Sequence, residues 1–171
     1  TRIYVGTTVG RVFEVRRTGA TWAIADVTTT EITGTALPAN VYVSDLAVDP
    51  AGSLWLTLSS LLWSETNGEF TNDHVWWRSA AGGAWVSRSA GLAQANPINC
   101  IAIDPANANR LFCGGDLGVF RTDDGGMTWT AWDPGLPNAA VFDLQIHAPR
   151  RLLRAATHGR SVWERPIDAA S

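Results

Sequence analysis

The sequence predicts an all-β protein that is built from repeated four-stranded units. Short runs rich in Val, Ile, Leu, Trp and Thr alternate with clusters of Gly, Asp, Asn and Pro, which is typical of consecutive antiparallel strands. No segment shows the periodicity of a long amphipathic helix. Two series of similar segments recur along the 171 residues, so the strands belong to an internal repeat.

The repeat has four strands in its complete form. Residues 110–129 match residues 2–22 with one gap, and residues 151–163 repeat the first half of that match. A second series begins the units with VSDLAVDP, INCIAIDP and VFDLQIHA. The third unit places strand A at 98–103, strand B at 111–113, strand C at 119–122 and strand D at 128–132. A repeated four-stranded meander is a β-propeller blade, and blades stack because one blade cannot bury both of its faces.

We therefore predict one partial β-propeller domain, all-β, with about three and a half four-stranded antiparallel blades. Residues 1–40 form strands B–D of a first blade, 41–92 a second, 93–137 a third, and 138–171 strands A–C of a last blade. The chain opens inside a strand-like run without an initiator Met or a signal peptide, which indicates a processed chain or a piece of a longer one. We expect the remaining blades of a propeller of roughly six to eight blades, or alternatively a second copy, to close the ring.

The segment TDDGGMTW, residues 122–129, resembles the Asp-box or BNR repeat, whose pattern is Ser/Thr-x-Asp-x-Gly-x-Thr-Trp. All of its defined positions are filled, by Thr122, Asp124, Gly126, Thr128 and Trp129. Together with IAIDPANANRLFCGGDLGVFRT, the unit resembles blades of Asp-box propellers, which include sialidases, xyloglucan-active hydrolases, sortilin-type receptors and photosystem assembly factors. The resemblance covers nearly the whole chain, although the complete box occurs once.

The other copies of the box are incomplete. The first unit has Val15 and Arg17 where the pattern requires Ser/Thr and Asp, and the second, SAAGGAW, aligns as one residue shorter with Ala81 at the Asp position. We expect the box to be a structural C–D turn with side chain to main chain hydrogen bonds, a glycine at positive φ, and a Trp between blades. A calcium loop is disfavoured because Pro134 and Gly135 stand where an EF-hand requires Glu.

Composition excludes several function classes. The chain has no Lys, so all 13 positive charges are Arg, and neither a P-loop lysine nor a Schiff base is possible. The net charge of −3 argues against nucleic acid as a partner, and no apolar run is long enough for a membrane span. Three scattered histidines lack metal-ligand spacing, so we expect neither a metal nor a cofactor.

The two cysteines, Cys100 and Cys113, both lie in apolar strand patterns. Two cysteines are too few for a disulfide scaffold. We favour two buried thiols, and a cross-strand disulfide is the alternative.

One loop differs from its counterparts on the propeller face that usually holds the functional site. The B–C loops of the first, third and fourth units are short, whereas that of the second unit spans 59–73, SSLLWSETNGEFTND. This insertion is a candidate binding loop. The alternative is that it tucks its own hydrophobic side chains over the blade. The candidate ligand-binding residues here are Trp63, Glu65, Phe70, Asp73 and His74.

Further candidates lie near the start of strand A. Asp45 and Asp143 occupy equivalent positions, where the third unit has Cys100. Such positions often line the central channel of a propeller, although capping of strand starts is an alternative role. The remaining candidates on this face are Tyr42, His158 and Arg160.

These residues favour binding over catalysis. A sialidase requires an arginine triad and a Tyr–Glu pair, and other glycosidases require two facing carboxylates; no motif in the chain supports either. We therefore expect a secreted or cell-surface module that presents a loop face to a glycan or protein ligand. Two alternatives are a glycoside hydrolase-like propeller whose cleft needs further blades and a purely structural blade array.

Overall fold

The structure is a computed structural model that describes residues 1–28, 41–64, 68–132, 135–136 and 138–168. In this part of the chain the regular structure is β-strand, apart from one 3₁₀ turn at Ala148–Arg150. Four separate antiparallel sheets follow one another along the chain.

The sheets contain three or four strands each. Sheet 1 consists of β1 (Arg2–Gly6), β2 (Val12–Thr18) and β3 (Thr21–Asp26). Sheet 2 begins with β4 (Val43–Val48) and β5 (Leu54–Leu58). An inserted hairpin follows, made of β6 (Trp63–Ser64) and β7 (Glu69–Phe70). Sheet 2 is completed by β8 (Val75–Arg78) and β9 (Val86–Ser87). Sheet 3 consists of β10 (Ile98–Ile103), β11 (Leu111–Gly115), β12 (Gly118–Thr122) and β13 (Thr130–Ala131). Sheet 4 consists of β14 (Val141–His147), β15 (Leu152–Thr157) and β16 (Val162–Pro166).

This architecture confirms the predicted fold, a partial β-propeller. Each sheet pairs its strands in chain order, with the inserted hairpin outside the order of sheet 2. Sheets 2 and 3 have four strands, whereas sheet 1 has the three that correspond to strands B–D and sheet 4 the three that correspond to strands A–C. The blade boundaries themselves stay a prediction, because residues 29–40 and 169–171 lie outside the described part of the chain.

Apolar side chains fill the space between neighbouring sheets in three successive cores. Strand β5 shows how one sheet serves two cores. Leu54, Leu56 and Leu58 belong to the core between sheets 1 and 2, whereas Trp55 belongs to the core between sheets 2 and 3. Successive side chains of a strand point to opposite faces, so sheets 2 and 3 are each buried on both sides.

The same alternation keeps the two cysteines apart. Cys113 lies in the core between sheets 2 and 3, and Cys100 lies in the core between sheets 3 and 4. Both thiols are free and buried, and burial raises the pKa of each. The interpretation as two buried thiols is confirmed, since side chains on opposite faces of one sheet do not meet the geometry of a disulfide.

A tryptophan hydrogen bond joins each interior sheet to the one before it. Trp85 Nε1 donates to the carbonyl oxygen of Val27 at 2.8 Å, and Trp129 Nε1 donates to that of Arg88 at 2.7 Å. Both acceptors directly follow the last strand of the preceding sheet. Trp85 and Trp129 are 0% and 2% exposed, whereas Trp22, at the equivalent place in sheet 1, is 52% exposed.

Strand register corrects the alignment of the second C–D turn. Arg78 and Thr122 occupy the same register position on the third strand of their sheets. From there to the tryptophan the two turns have equal length, so the second copy carries no deletion. Ala80, rather than Ala81, therefore stands at the position of Asp124. The sequence match was misled because Ser79 resembles the first residue of the box, while the register is set by main-chain pairing.

Glycine is required in this turn for backbone and packing reasons. Gly19, Gly82 and Gly126 hold equivalent positions in the three turns and have φ of 63°, 88° and 78°. In the third turn a Cβ at Gly126 would also lie only 2.9 Å from the ring of Trp55 in sheet 2. The turn is thus packed directly against the preceding sheet.

The exposed and buried tryptophans provide a matched test of the interface. Trp129→Phe should lower the free energy of unfolding by about 1–3 kcal/mol, because the partly buried Arg88 carbonyl loses its donor and the smaller ring leaves space. Trp22→Phe at the equivalent exposed position should change it by less than about 0.5 kcal/mol. Urea unfolding measures both. Equal effects of the two substitutions would contradict the role assigned to the hydrogen bond.

Candidate functional site

The 122–129 turn is held by its own side chains. The Asp124 carboxylate accepts hydrogen bonds from Thr122 Oγ1 at 2.6 Å and from Thr128 Oγ1 at 2.5 Å, and also from the Thr128 main-chain N–H at 3.0 Å. Gly126 N–H donates to Thr122 Oγ1 at 3.1 Å. These donors lower the pKa of Asp124 to about 2. A carboxylate whose oxygens are occupied in this way stabilises the turn.

The first strands of the last three sheets lie side by side. Strand β10 packs between β4 and β14. Asp45, Cys100 and Asp143 each directly follow a register irregularity in these strands, so they occupy the same position in successive sheets. A bulge bends the strand and re-aims the side chain that follows it. These strands are the innermost of a propeller blade, so the residues that we expected near the channel form one row.

Asp45 connects sheet 2 to sheet 3. Its Oδ1 accepts a hydrogen bond from its neighbour Leu46 N–H at 2.7 Å, and its Oδ2 accepts one from Ile101 N–H of sheet 3 at 2.9 Å. Burial raises the pKa of Asp45, the two N–H donors oppose that rise, and the negative charge of Asp143 adds to it. Asp45 thus caps a strand of the neighbouring sheet, and the charge of the exposed Asp143 affects its pKa.

The residue before each member of this row was missed by the sequence reasoning. Ser44 Oγ donates to the carbonyl oxygen of Ile98 at 2.6 Å, and Asn99 Nδ2 donates to that of Val141 at 3.1 Å. Each bond links one sheet to the first strand of the next. Phe142 holds the equivalent place in sheet 4 and is exposed. A comparison of the units could have indicated this position, because two units have a polar residue there and the last unit has an aromatic one.

The inserted hairpin combines a buried anchor with exposed side chains. Leu62 is 6% exposed and belongs to the core between sheets 1 and 2. Leu61 and Phe70 are 57% and 39% exposed. Tyr42 is 49% exposed and lies beside the start of the insertion, since its N–H donates to Ser60 Oγ at 2.8 Å. One hydrophobic side chain of the insertion is tucked over the blade, and others remain accessible.

Two candidates in and next to the insertion contact other residues of the same chain through their side chains. The Asp73 carboxylate accepts a hydrogen bond from Ser87 Oγ at 2.6 Å. His74 is fully buried, and its Nδ1 lies 3.1 Å from the carbonyl oxygen of Leu58. Its Nε2 has no hydrogen-bond partner among the described residues. Burial lowers the pKa of His74, an effect opposed by its main-chain contacts and by the charge of Asp73.

Of the other candidates, the structure describes His158 and Arg160 in full, Trp63 in part and Glu65 not at all. Only the main chain of Trp63 is described, in β6, and Glu65 lies outside the described residues. His158 is exposed, and its ring centroid lies 5.7 Å from that of Phe142. Arg160 is exposed, and its carbonyl oxygen accepts a hydrogen bond from Trp163 Nε1 at 2.6 Å. Across the described ranges, no group of three or more His, Cys, Asp or Glu could hold a metal ion.

The stacked sheets and their row of inner strands define a β-propeller segment. The chain is similar in structure to the extracellular domain of a hybrid two-component system from B. thetaiotaomicron, with a TM-score of 0.66 at 15% identity, over 99% of this chain and 20% of that one. It is also similar to the GH74 xyloglucanase from Xanthomonas campestris, with a TM-score of 0.61 at 17% identity, over 96% and 27% of the two chains. A third similar structure is YCF48 bound to D1 peptide, with a TM-score of 0.61 at 14% identity, over 94% and 45%.

The chain spans between a fifth and just under half of the length of these three structures. At these identities the likeness establishes the propeller fold. No protein-family model matches the sequence, and no curated protein matches it. Among the described residues, no helix is long and apolar enough to cross a membrane.

The buried histidine predicts a pH dependence of stability. The folded-state pKa of His74 is lowered, so below about pH 6.5 the unfolded chain binds a proton that the folded chain resists. Stability should be complete above that pH and fall as the pH drops towards the folded pKa. Thermal unfolding between pH 7.5 and 5 should show this fall in the wild type and in His158→Gln, but not in His74→Gln. The raised pKa of Asp45 acts with the opposite sign, so an undiminished fall in His74→Gln would refute the assignment.

The turn carboxylate predicts a second pH dependence in a different range. Asp124→Asn should lower the free energy of unfolding at pH 7 by about 1 kcal/mol, similar to the loss of a capping side chain. The folded pKa is lowered to about 2, so this contribution is present above the unfolded value near 3.9 and is lost as the pH falls towards 2. Urea unfolding at pH 7, 4 and 2.5 should show the difference between variant and wild type shrinking with acid; a constant difference would argue against the carboxylate.

Proposed function

We propose that this chain is a segment of an extracellular Asp-box propeller whose B–C loop face binds a glycan or protein ligand. One observation carries the proposal: Tyr42, Leu61 and Phe70 leave 49%, 57% and 39% of their surface exposed around the anchored hairpin. Exposed aromatic side chains on a loop that a rigid scaffold positions are suited to sugar stacking or to a protein contact.

The candidates divide into contact and supporting residues. The hairpin residues Trp63 and Glu65 would extend the contact surface. Asp73 and His74 would hold the base of the hairpin, because hydrogen bonding and burial already engage them. A second group on this face would supply polar contacts and a further aromatic surface; it consists of Asp143, His158, Arg160 and Phe142. We propose no cofactor for binding of this kind.

We propose a secreted or cell-surface location and further blades around the same axis. The B. thetaiotaomicron structure is that of an extracellular domain, which supports the location. The outer face of sheet 1 exposes Ile3, Val5, Trp22 and Ile24, and the tryptophans equivalent to Trp22 are buried by a preceding sheet. A blade of this chain or of a second copy that packs there would bury Trp22 in the same way.

A second candidate function is part of a glycoside hydrolase-like cleft. The observation that favours it is that burial raises the pKa of Asp45 and the charge of Asp143 adds to the rise, since an acid of raised pKa beside a second carboxylate suits glycoside hydrolysis. The two N–H donors on Asp45 favour the capping role instead. Turnover of chromogenic glycosides that is lost in Asp143→Asn would support the enzyme over the binding module and over a purely structural array.

A glycan array with the intact chain and two leucine variants tests the binding surface. Leu61→Ser should weaken binding of any recognised glycan at least tenfold, because it interrupts the exposed cluster beside the hairpin. Leu117→Ser is the matched control, since Leu117 is 55% exposed and precedes β12 in the short B–C loop of sheet 3. Loss of binding in Leu61→Ser alone is the expected result. Equal binding by both variants would place the ligand elsewhere, and an array without any recognised glycan would leave a protein ligand as the candidate.

A further inference from the structure

A cavity lies between sheets 1 and 2 at the end of the strands opposite the B–C loops. Its volume is about 340 Å³, at the lower end of the range for small-molecule sites. The C–D turn of sheet 2 forms one side, and the inward faces of β1 and β2 form the other. The polar side chains that line it are Arg2, Tyr4, Glu14, Arg16, Arg78 and Ser79.

The positive charges of this cavity are only partly balanced. Arg2 and Arg16 are directly paired across β1 and β2, an arrangement that is destabilising for like charges. Glu14 serves both, since its Oε1 lies 3.4 Å from Arg2 Nε and 2.9 Å from Arg16 Nη2. Arg78 adds a third guanidinium, whose Nε donates to the carbonyl oxygen of Gly83 at 2.9 Å. Three guanidinium groups around one carboxylate leave a local surplus of two positive charges, although the whole chain carries −3.

The equivalent place between sheets 3 and 4 is balanced by carboxylates. Arg110 and Asp123 hold the positions of Arg2 and Arg16, adjoining the Leu111–Thr122 pair. Arg110 Nε donates to Asp123 Oδ1 at 2.7 Å, and Arg110 Nη1 donates to Asp168 Oδ1 at 2.7 Å. Asp168 follows the last strand of sheet 4 and so reaches into this cluster from the neighbouring blade.

Two further arginines complete the balanced cluster. Arg151 of sheet 4 contacts Asp168 at 2.9 Å and the fully buried Asp104 at 2.5 and 2.7 Å. Arg121 Nε contacts Asp123 at 2.7 Å. Three arginines there meet three aspartates, so the position is neutral and filled by protein side chains. Between sheets 1 and 2, Arg2 corresponds to Arg110, Glu14 to Arg121 and Arg16 to Asp123, and a cavity lies beside these side chains.

We propose that the cavity between sheets 1 and 2 binds a small dicarboxylate. Its two carboxylates match the surplus of two positive charges among the side chains that line the cavity, and they would supply the kind of counter-charge that Asp123 and Asp168 supply between sheets 3 and 4. The planar guanidinium group binds a carboxylate through two parallel hydrogen bonds, which favours this chemistry. This site is separate from the B–C loop face, so the two proposals are tested independently.

Calorimetric titration of the intact chain with succinate at pH 7 and constant ionic strength tests the proposal. Succinate should bind with one-to-one stoichiometry, acetate at least tenfold more weakly, and the neutral analogue succinamide without measurable heat. Inorganic phosphate should also bind at least tenfold more weakly than succinate. Added salt should weaken succinate binding, because the attraction is electrostatic.

Variants assign the binding to the cavity. Arg78→Gln should weaken succinate binding at least tenfold, and Glu14→Gln should strengthen it, because a competing carboxylate is removed. Arg150→Gln is the control, since Arg150 is exposed in the 3₁₀ turn of sheet 4. Circular dichroism confirms that each variant is folded. The proposal is overturned if succinate does not bind, if phosphate or succinamide binds equally well, or if Arg78→Gln and Arg150→Gln have the same effect.

Discussion

Burial of both faces of each interior sheet is the constraint on which the rest of this structure depends. Strand β5 sends Leu56 towards one neighbour and Trp55 towards the other, so sheet 2 is stable only between two partners. In sheets 2 and 3, the tryptophan that follows the C–D turn adds a directional bond to this apolar contact. Trp85 and Trp129 bind a main-chain carbonyl of the preceding sheet, which fixes how the blades are set against one another.

The two ends of the strands have different roles, because blade packing constrains the turns at one end and leaves the loops at the other end able to vary in length. At one end the C–D turns are pressed into the preceding blade, as Gly126 is against Trp55, and charged networks such as Arg151 with Asp104 join neighbours. At the other end the B–C loops project from the scaffold, and an insertion costs little if it is anchored by a single buried side chain such as Leu62.

Sequence reasoning was most successful where a local pattern reports a local structure. The strand-forming runs and the 122–129 turn were readable because alternation and turn chemistry act over a few residues. It was less successful where contacts are distant in sequence. Ser79 was matched to the wrong position because the register of β8 depends on its partner strand, and Ser44 was overlooked because its acceptor, Ile98, lies in the next sheet.

By itself, the sequence determined the all-β propeller fold and the loop that departs from the repeat, because residue periodicity and the comparison of one unit with another reveal both. Only the tertiary structure decided which candidates are accessible. His74 is buried and Asp73 is hydrogen-bonded, while Tyr42, Phe70 and Asp143 are exposed. It also revealed the arginine cavity, because Arg2, Arg16 and Arg78 come together only when two blades pack face to face. Burial and charge balance depend on contacts between neighbouring blades, and the sequence of one strand does not reveal which side chains of the next blade it will contact.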